Sequence, residues 1–160
     1  MGNVGIAHAD VKNVFHNPAF AGLNKRHQEI SYVDWLPNLT DDMGYQSILY
    51  TSDLGWSSEI FYFNYGTQVE ADQGGIIIGD FESSSYRVSG GYGFGIGDWL
   101  FGARLNLYNH NFIDDIDIGM NYGFDLGAYK EFGNTSLGIV LKDVGGETKF
   151  LDQSLNLPMS

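Results

Sequence analysis

Alternation of apolar and polar residues is the main pattern of this chain. In residues 101–108, one phenylalanine, one alanine and two leucines occupy every second position, and Gly102, Arg104, Asn106 and Tyr108 stand between them. Successive side chains of a β-strand point to opposite faces, so this segment predicts one apolar face and one polar face. Because the same arrangement recurs along most of the sequence, we expect an all-β protein.

The pattern predicts strands in seven segments, at 28–36, 43–51, 56–67, 84–96, 99–110, 116–131 and 135–143. The links at 51–55, 97–98 and 132–134 are short, whereas those at 70–82 and 109–117 are longer and acidic. Alternating short and long links are typical of an antiparallel outer-membrane β-barrel, whose periplasmic turns are short. Such a barrel also carries aromatic girdles, and Trp35, Trp56, Tyr65 and Trp99 lie near predicted strand ends.

The residues before the first strand break the alternation. Asp10 is a candidate helix N-cap, Pro18 can begin a second short helical turn, and Gly22 can end it. We therefore expect a helical, plug-like segment at 1–27 and antiparallel barrel strands at 28–160.

Charged residues orient the predicted strands. A lysine or arginine that faces lipid at the bilayer midplane costs about 2–4 kcal/mol, so Arg87, Arg104 and Lys142 are expected to line the lumen together with Asp125. The polar face of residues 84–96 is mostly glycine and serine, which predicts a narrow, plugged interior. A soluble β-sandwich also has one polar face, so the pattern alone leaves the environment open.

Composition excludes several functional classes. The chain has 160 residues, 43% of them hydrophobic, with 22 glycines and only 3 prolines, which suits one β-rich domain. The formal net charge of −12 argues against nucleic-acid binding, and the absence of cysteine excludes disulfides and thiolate chemistry. No uncharged apolar run is long enough for a spanning helix, and the first residues do not resemble a secretion signal.

The sequence offers no convincing catalytic or metal-binding motif. The glycines of residues 90–97 have neither dinucleotide nor phosphate-loop spacing, and the four histidines show no paired ligand spacing. The acidic group Asp114, Asp115 and Asp117 lacks the glycine and glutamate of an EF-hand, so we interpret it as an outer loop that contacts partners. We expect no enzyme activity, no catalytic residue, no metal and no cofactor.

Short motifs along the chain resemble one known family. They are the box Asn17, Pro18 and Ala19, the strand 30–36 with Trp35, the segment 63–67, and the segment 142–146. Together they are similar to the PorV/PorQ family of type IX secretion system outer-membrane proteins, with the PorQ-like branch favoured.

The resemblance implies a barrel related to FadL-type channels that docks or anchors the cell-surface attachment complex or cargo and performs no chemistry. Its partners would be other type IX secretion components or cargo, and outer-membrane lipid or lipopolysaccharide. The family barrel is longer, and bacterial single-chain barrels have an even number of strands. Seven strands therefore suggest the N-terminal part of a barrel, or an assembly by self-association. FadL-like transport of apolar solutes and a soluble β-sandwich binding module are the alternatives.

Overall fold

A β-sheet with short helical turns before it makes up the part of the protein that the computed structural model describes, residues 4–35, 42–71, 74–111, 117–145, 147–150 and 153–156. The helical turns are three short 3₁₀ turns, η1 (Val4–Ala7), η2 (Val11–Asn13) and η3 (Pro18–Leu23). The strands are β1 (His27–Asp34), β2 (Gly44–Thr51), β3 (Trp56–Ala71), β4 (Ile77–Ile96), β5 (Trp99–Asn111), β6 (Asp117–Phe132), β7 (Thr135–Val144), β8 (Glu147–Phe150) and β9 (Gln153–Asn156).

Strands β1 to β7 form one antiparallel sheet in which each strand pairs with the next along the chain, and β8 and β9 form a separate hairpin. The predicted all-β, antiparallel architecture is therefore confirmed. The described pairings leave β1 and β7 as the two edges, so this sheet is open.

Each of the seven predicted segments corresponds to one of the strands β1 to β7, with ends that differ by a residue or more, but one predicted loop is wrong. Residues 70–82 were expected to form a long acidic loop, whereas β3 runs to Ala71 and β4 begins at Ile77. After an irregularity that follows Asn64, the ladder resumes with Thr67 opposite Glu82. This outer part of the β3–β4 hairpin, residues 67–71 and 77–82, is solvated on both faces. It therefore lacks the apolar alternation that identifies the other strands. The hairpin of β8 and β9 was not predicted either.

Capping residues explain the turns before the sheet. Asp10 accepts a hydrogen bond from the Lys12 amide (3.0 Å), which confirms it as the N-cap of η2. Pro18 occupies the first position of η3, as predicted. The turn ends one residue beyond the predicted Gly22, because Asn24 adopts the left-handed conformation (φ 53°) that terminates it.

The two faces of the sheet have opposite character. The inner face, defined as the one on which residues 4–24 pack, buries polar side chains, namely Ser57, Glu59, Ser85, Ser89, Arg104, Asn106, Asn121 and Asp125. The outer face exposes apolar side chains. One row of them crosses six strands through directly paired residues, Ile30, Ile48, Ile60, Val88, Leu107 and Tyr122. In the described residues, none of the helical turns is long and apolar enough to span a bilayer.

Among the residues whose burial the structure describes, the buried apolar side chains lie at the contact between the helical turns and the inner face. Val14 and Ala21 pack with Leu49 of β2, and Phe20 meets Tyr129 of β6 edge to face with ring centroids 5.2 Å apart. This core fixes the N-terminal segment on the sheet.

Candidate functional site

A row of glycines on the inner face carries the N-terminal segment. Gly93, Gly102 and Gly127 lie directly opposite one another on β4, β5 and β6. A Cβ atom on Gly102 would overlap the Pro18 carbonyl, one on Gly127 would overlap the Asn17 side chain, and one on Gly93 would overlap the end of η3. Only glycine therefore lets the backbone of this segment approach the sheet so closely.

Asn17 ties the segment to itself and to the sheet. Its Nδ2 donates to the carbonyls of Ile6 (3.0 Å) and Ala128 (3.2 Å), and its Oδ1 accepts from the Ala19 amide (3.0 Å). The side chain is fully buried. An aspartate would lack the two donors and a serine would lack the reach, so this position requires an amide.

A buried ion pair lies beside the glycine row. Arg104 and Asp125 face each other on β5 and β6, and Arg104 donates two hydrogen bonds to Asp125 Oδ2, one of them from Nε at 2.9 Å. Arg104 Nη2 also donates to the Phe15 carbonyl (2.8 Å). The guanidinium thus joins the wall of the sheet to the N-terminal segment.

The other oxygen of Asp125 is bonded to β7. Its Oδ1 accepts from the Asp143 amide (2.9 Å), and the Tyr108 hydroxyl donates to the Asp143 carboxylate. Asp143 has a positive φ of 54°, at the place where the β6–β7 register shifts. Lys142 is half-buried beside it. This network cross-links three neighbouring strands.

A second ion pair lies further along the inner face. Arg87 Nη2 donates to Glu59 Oε2 (2.7 Å), and its guanidinium lies 5.5 Å from the ring centroid of Phe61. Glu59 is buried in β3, and sequence reasoning did not select it. A buried carboxylate of this kind requires a cation nearby, which Arg87 supplies.

Both arginines of the inner face are paired with carboxylates, Arg87 with Glu59 and Arg104 with Asp125. Burial, and then the positive charges of Lys142 and Arg104, lower the pKa of His16, which favours a neutral ring. The described residues contain no group of three potential metal ligands among their His, Asp and Glu side chains.

The structure places the remaining predicted residues as follows. Trp35 directly follows β1, is exposed, and its amide donates to the Met43 carbonyl (2.8 Å). Asp117 is the first residue of β6, and Asp114 and Asp115 lie outside the described residues. The acidic side chains of the β3–β4 hairpin project at the same end of the sheet and are exposed, namely Glu70, Asp80 and Glu82.

Sequence reasoning brought out Arg104 and Asp125 but missed Glu59, Tyr108 and Asp143, because pairs across a sheet depend on register. The glycines between the apolar residues of β4, β5 and β6 were the sequence feature that could have indicated where the N-terminal segment packs.

Comparisons with models of known families, with curated proteins and with solved structures found no match for this chain.

Proposed function

We propose that this chain forms the wall of a lipid-embedded outer-membrane β-barrel that is plugged by its own N-terminal segment and serves as a docking component of type IX secretion. The observation that carries the proposal is the inverted sheet, which buries its charged and polar face and exposes its apolar face. An aqueous protein gains stability from the opposite arrangement.

The exposed apolar row supports a hydrocarbon environment. Each of its six side chains is at least 36% exposed, and the row continues without a charged residue across β1 to β6. Full burial of a side chain of this size contributes about 1.5–3 kcal/mol. Because the six side chains are on average about half exposed, lipid contact along the row would contribute on the order of 5–10 kcal/mol. Contact with water would forfeit that contribution.

The inner face argues against the soluble β-sandwich. A sandwich packs apolar faces against each other, but here the apolar side chains are exposed and the N-terminal segment covers the polar face. The inner face also favours docking over transport of apolar solutes. It is polar and is filled by η3 and the residues around it.

We assign partner contacts to the end of the sheet at which β3 turns into β4 and β5 is linked to β6. The exposed β3–β4 hairpin extends there, and the group Asp114, Asp115 and Asp117 follows β5 in sequence. In a barrel with short periplasmic turns this end faces the cell exterior. The secretion role itself is supported by the resemblance of the Asn17, Pro18 and Ala19 box and the later motifs to the PorV/PorQ family.

In the described pairings, edge strands β1 and β7 each have a row of unpaired backbone groups, and such groups cost several kcal/mol each within hydrocarbon. A lipid-embedded sheet therefore needs further strands to close, supplied by more of the polypeptide or by another copy of the chain. Cross-linking between cysteines introduced into β1 and β7 would tell these sources apart. A cross-linked dimer forms only if another copy of the chain supplies the missing strands.

The membrane proposal is tested by moving a charge along the outer face. Ile60→Lys lies within the apolar row, and Ile77→Lys makes the same change in the solvated β3–β4 hairpin. We expect Ile60→Lys to lower the free energy of unfolding in lipid vesicles by about 2–4 kcal/mol and Ile77→Lys to lower it by about 1 kcal/mol or less. Equal effects, or a folded monomer in buffer without lipid or detergent, would contradict the proposal.

The docking role requires its own experiment. The affinity-tagged protein is purified from outer membranes after cross-linking, and the captured proteins are identified by mass spectrometry. We expect secretion-system components in the wild-type sample and their loss when Asp114, Asp115 and Asp117 are replaced by asparagine. Capture of lipid alone, with no secretion component, would contradict the docking role.

A further inference from the structure

An apolar groove of about 560 Å³ opens on the outer face across β4 to β7. It is lined by the small residues Gly102, Ala103, Gly127 and Ala128, which we call its floor, and by larger apolar side chains, namely Phe94, Ile96, Phe101, Leu126, Ile139 and Leu141. The volume lies within the range of about 300–1,000 Å³ that is typical of small-molecule sites.

The cross-strand register creates this groove. Phe101 lies opposite Ala128, and Ala103 lies opposite Leu126, so each alanine is next to a large side chain. The inner side of the same region carries Gly102 and Gly127, which keeps the wall thin on both faces. The groove is therefore a built feature of the sheet and not a gap between flexible side chains.

A single cationic side chain lies at one end of the groove, next to the short turns at residues 97–98 and 133–134, which we call the short-turn end. Lys130 lies two residues beyond Ala128 on the same face and directly opposite Trp99. Its Nζ lies 5.4 Å from the ring centroid of Trp99 and 5.0 Å from that of Phe132. Aromatic rings hold an ammonium group by cation–π attraction and are typical of the headgroup level of a membrane.

No other basic side chain occupies an outer-face position in the described parts of β1 to β7. Arg87, Arg104 and Lys142 belong to the inner face. The nearest acidic group is Asp98, whose carboxylate lies 3.7 Å from Lys130 Nζ and is 83% exposed. Because Asp98 is in solvent, this pair is weak, and it leaves the Lys130 ammonium group, on a side chain that is itself 21% exposed, able to bind a second anion.

We propose that this groove binds one membrane glycerophospholipid, with an acyl chain over Ala103 and Ala128 and the phosphate at Lys130. The inference rests on the proposed function, because it requires the outer face to meet lipid. An uncharged apolar groove with one cationic side chain at its end complements a molecule with a long hydrocarbon chain and an anionic headgroup. The short-turn end of a bacterial barrel faces the periplasm, so the lipid belongs to the phospholipid leaflet.

The test titrates the full chain in detergent with dioleoylphosphatidylglycerol and counts bound lipid by native mass spectrometry. We expect one retained lipid and about fivefold weaker binding to Lys130→Gln, since a lysine near the membrane surface contributes roughly this factor. Lys130→Arg should bind as the wild type does. Ala103→Phe, which fills the floor of the groove, should lose the retained lipid.

Lys25→Gln is the matched control, because Lys25 is exposed at the same end of the sheet but precedes β1, on the opposite side from the groove. It should leave lipid binding unchanged. Equal binding of dioleoylglycerol, which lacks the phosphate, would overturn the proposal. So would displacement of the lipid by glycerol phosphate alone, or binding that Lys130→Gln and Ala103→Phe leave unchanged.

Insertion into phosphatidylcholine vesicles, measured in parallel, separates the two proposals. A chain that inserts but binds phosphatidylglycerol without regard to Lys130 contradicts the lipid site alone. A chain that inserts into no vesicle contradicts the membrane function and the lipid site together.

Discussion

Replacing Asp125 with asparagine removes the carboxylate that holds Arg104 on the inner face. Both residues are buried, with Arg104 6% and Asp125 1% exposed. In the wild type, Asp125 Oδ2 accepts hydrogen bonds from Nε and Nη2 of Arg104, and Oδ1 accepts one from the Asp143 amide. The variant keeps a side chain of the same shape but leaves the positive charge without its counterion.

The expected cost follows from burial. Breaking a buried ion pair by removing one partner costs about 3–5 kcal/mol, because an uncompensated charge stays out of water. The one remaining described partner of Arg104 is the Phe15 carbonyl, which supplies no negative charge. We therefore expect Asp125→Asn to lower the free energy of unfolding by about 3–5 kcal/mol.

The exposed pair Arg26 and Asp53 provides the matched control. Its atoms are 3.1 Å apart, but the two side chains are 66% and 56% exposed. Pairs in water contribute about 1 kcal/mol or less, so Asp53→Asn should change stability by no more than that. The two variants make the same chemical change at different burial.

Urea unfolding in lipid vesicles, followed by tryptophan fluorescence, measures both variants, and a double-mutant cycle completes the assay. Arg104→Met combined with Asp125→Leu removes both charges, so it should destabilise by less than the sum of the single changes. Equal losses in Asp125→Asn and Asp53→Asn, or strict additivity in the cycle, would refute a buried and interacting pair.

Two further predictions concern the N-terminal segment and the loop before β2. Gly102→Val should collide with the Pro18 backbone and expose residues 4–24 to trypsin. The control Gly90→Val, whose side chain points into open space on β4, should not. Equal cleavage rates in the two variants would show that the N-terminal segment does not depend on the glycine row. Hydrogen bonds from the Thr67 hydroxyl and amide lower the pKa of Asp42, so their contribution is present above the unfolded pKa and lost as pH falls through the lower folded value. Hydrogen-exchange protection of the Thr67 amide should therefore drop at acidic pH, and Asp42→Asn should abolish that step; a step that persists in the variant would point to another group.

The fold was predictable from the sequence where local alternation decides it. The two faces of β5 follow from residues 101–108 alone, because neighbouring side chains of any extended strand point in opposite directions. The caps at Asp10 and Pro18 were predictable for the same reason, since they act within a few residues. The outer parts of β3 and β4, at residues 68–71 and 77–82, were missed because these solvated residues carry no such pattern.

The candidate site depended on tertiary structure. Glu59 meets Arg87, and Gly102 meets the Pro18 backbone, across separations of tens of residues that only strand register sets. A shift of one residue would turn each of these side chains to the other face. The sequence by itself determined that the chain has one apolar and one polar face per strand. Only the paired sheet decided that the polar face is the buried one, because the N-terminal segment packs on the glycine row and leaves the apolar face uncovered.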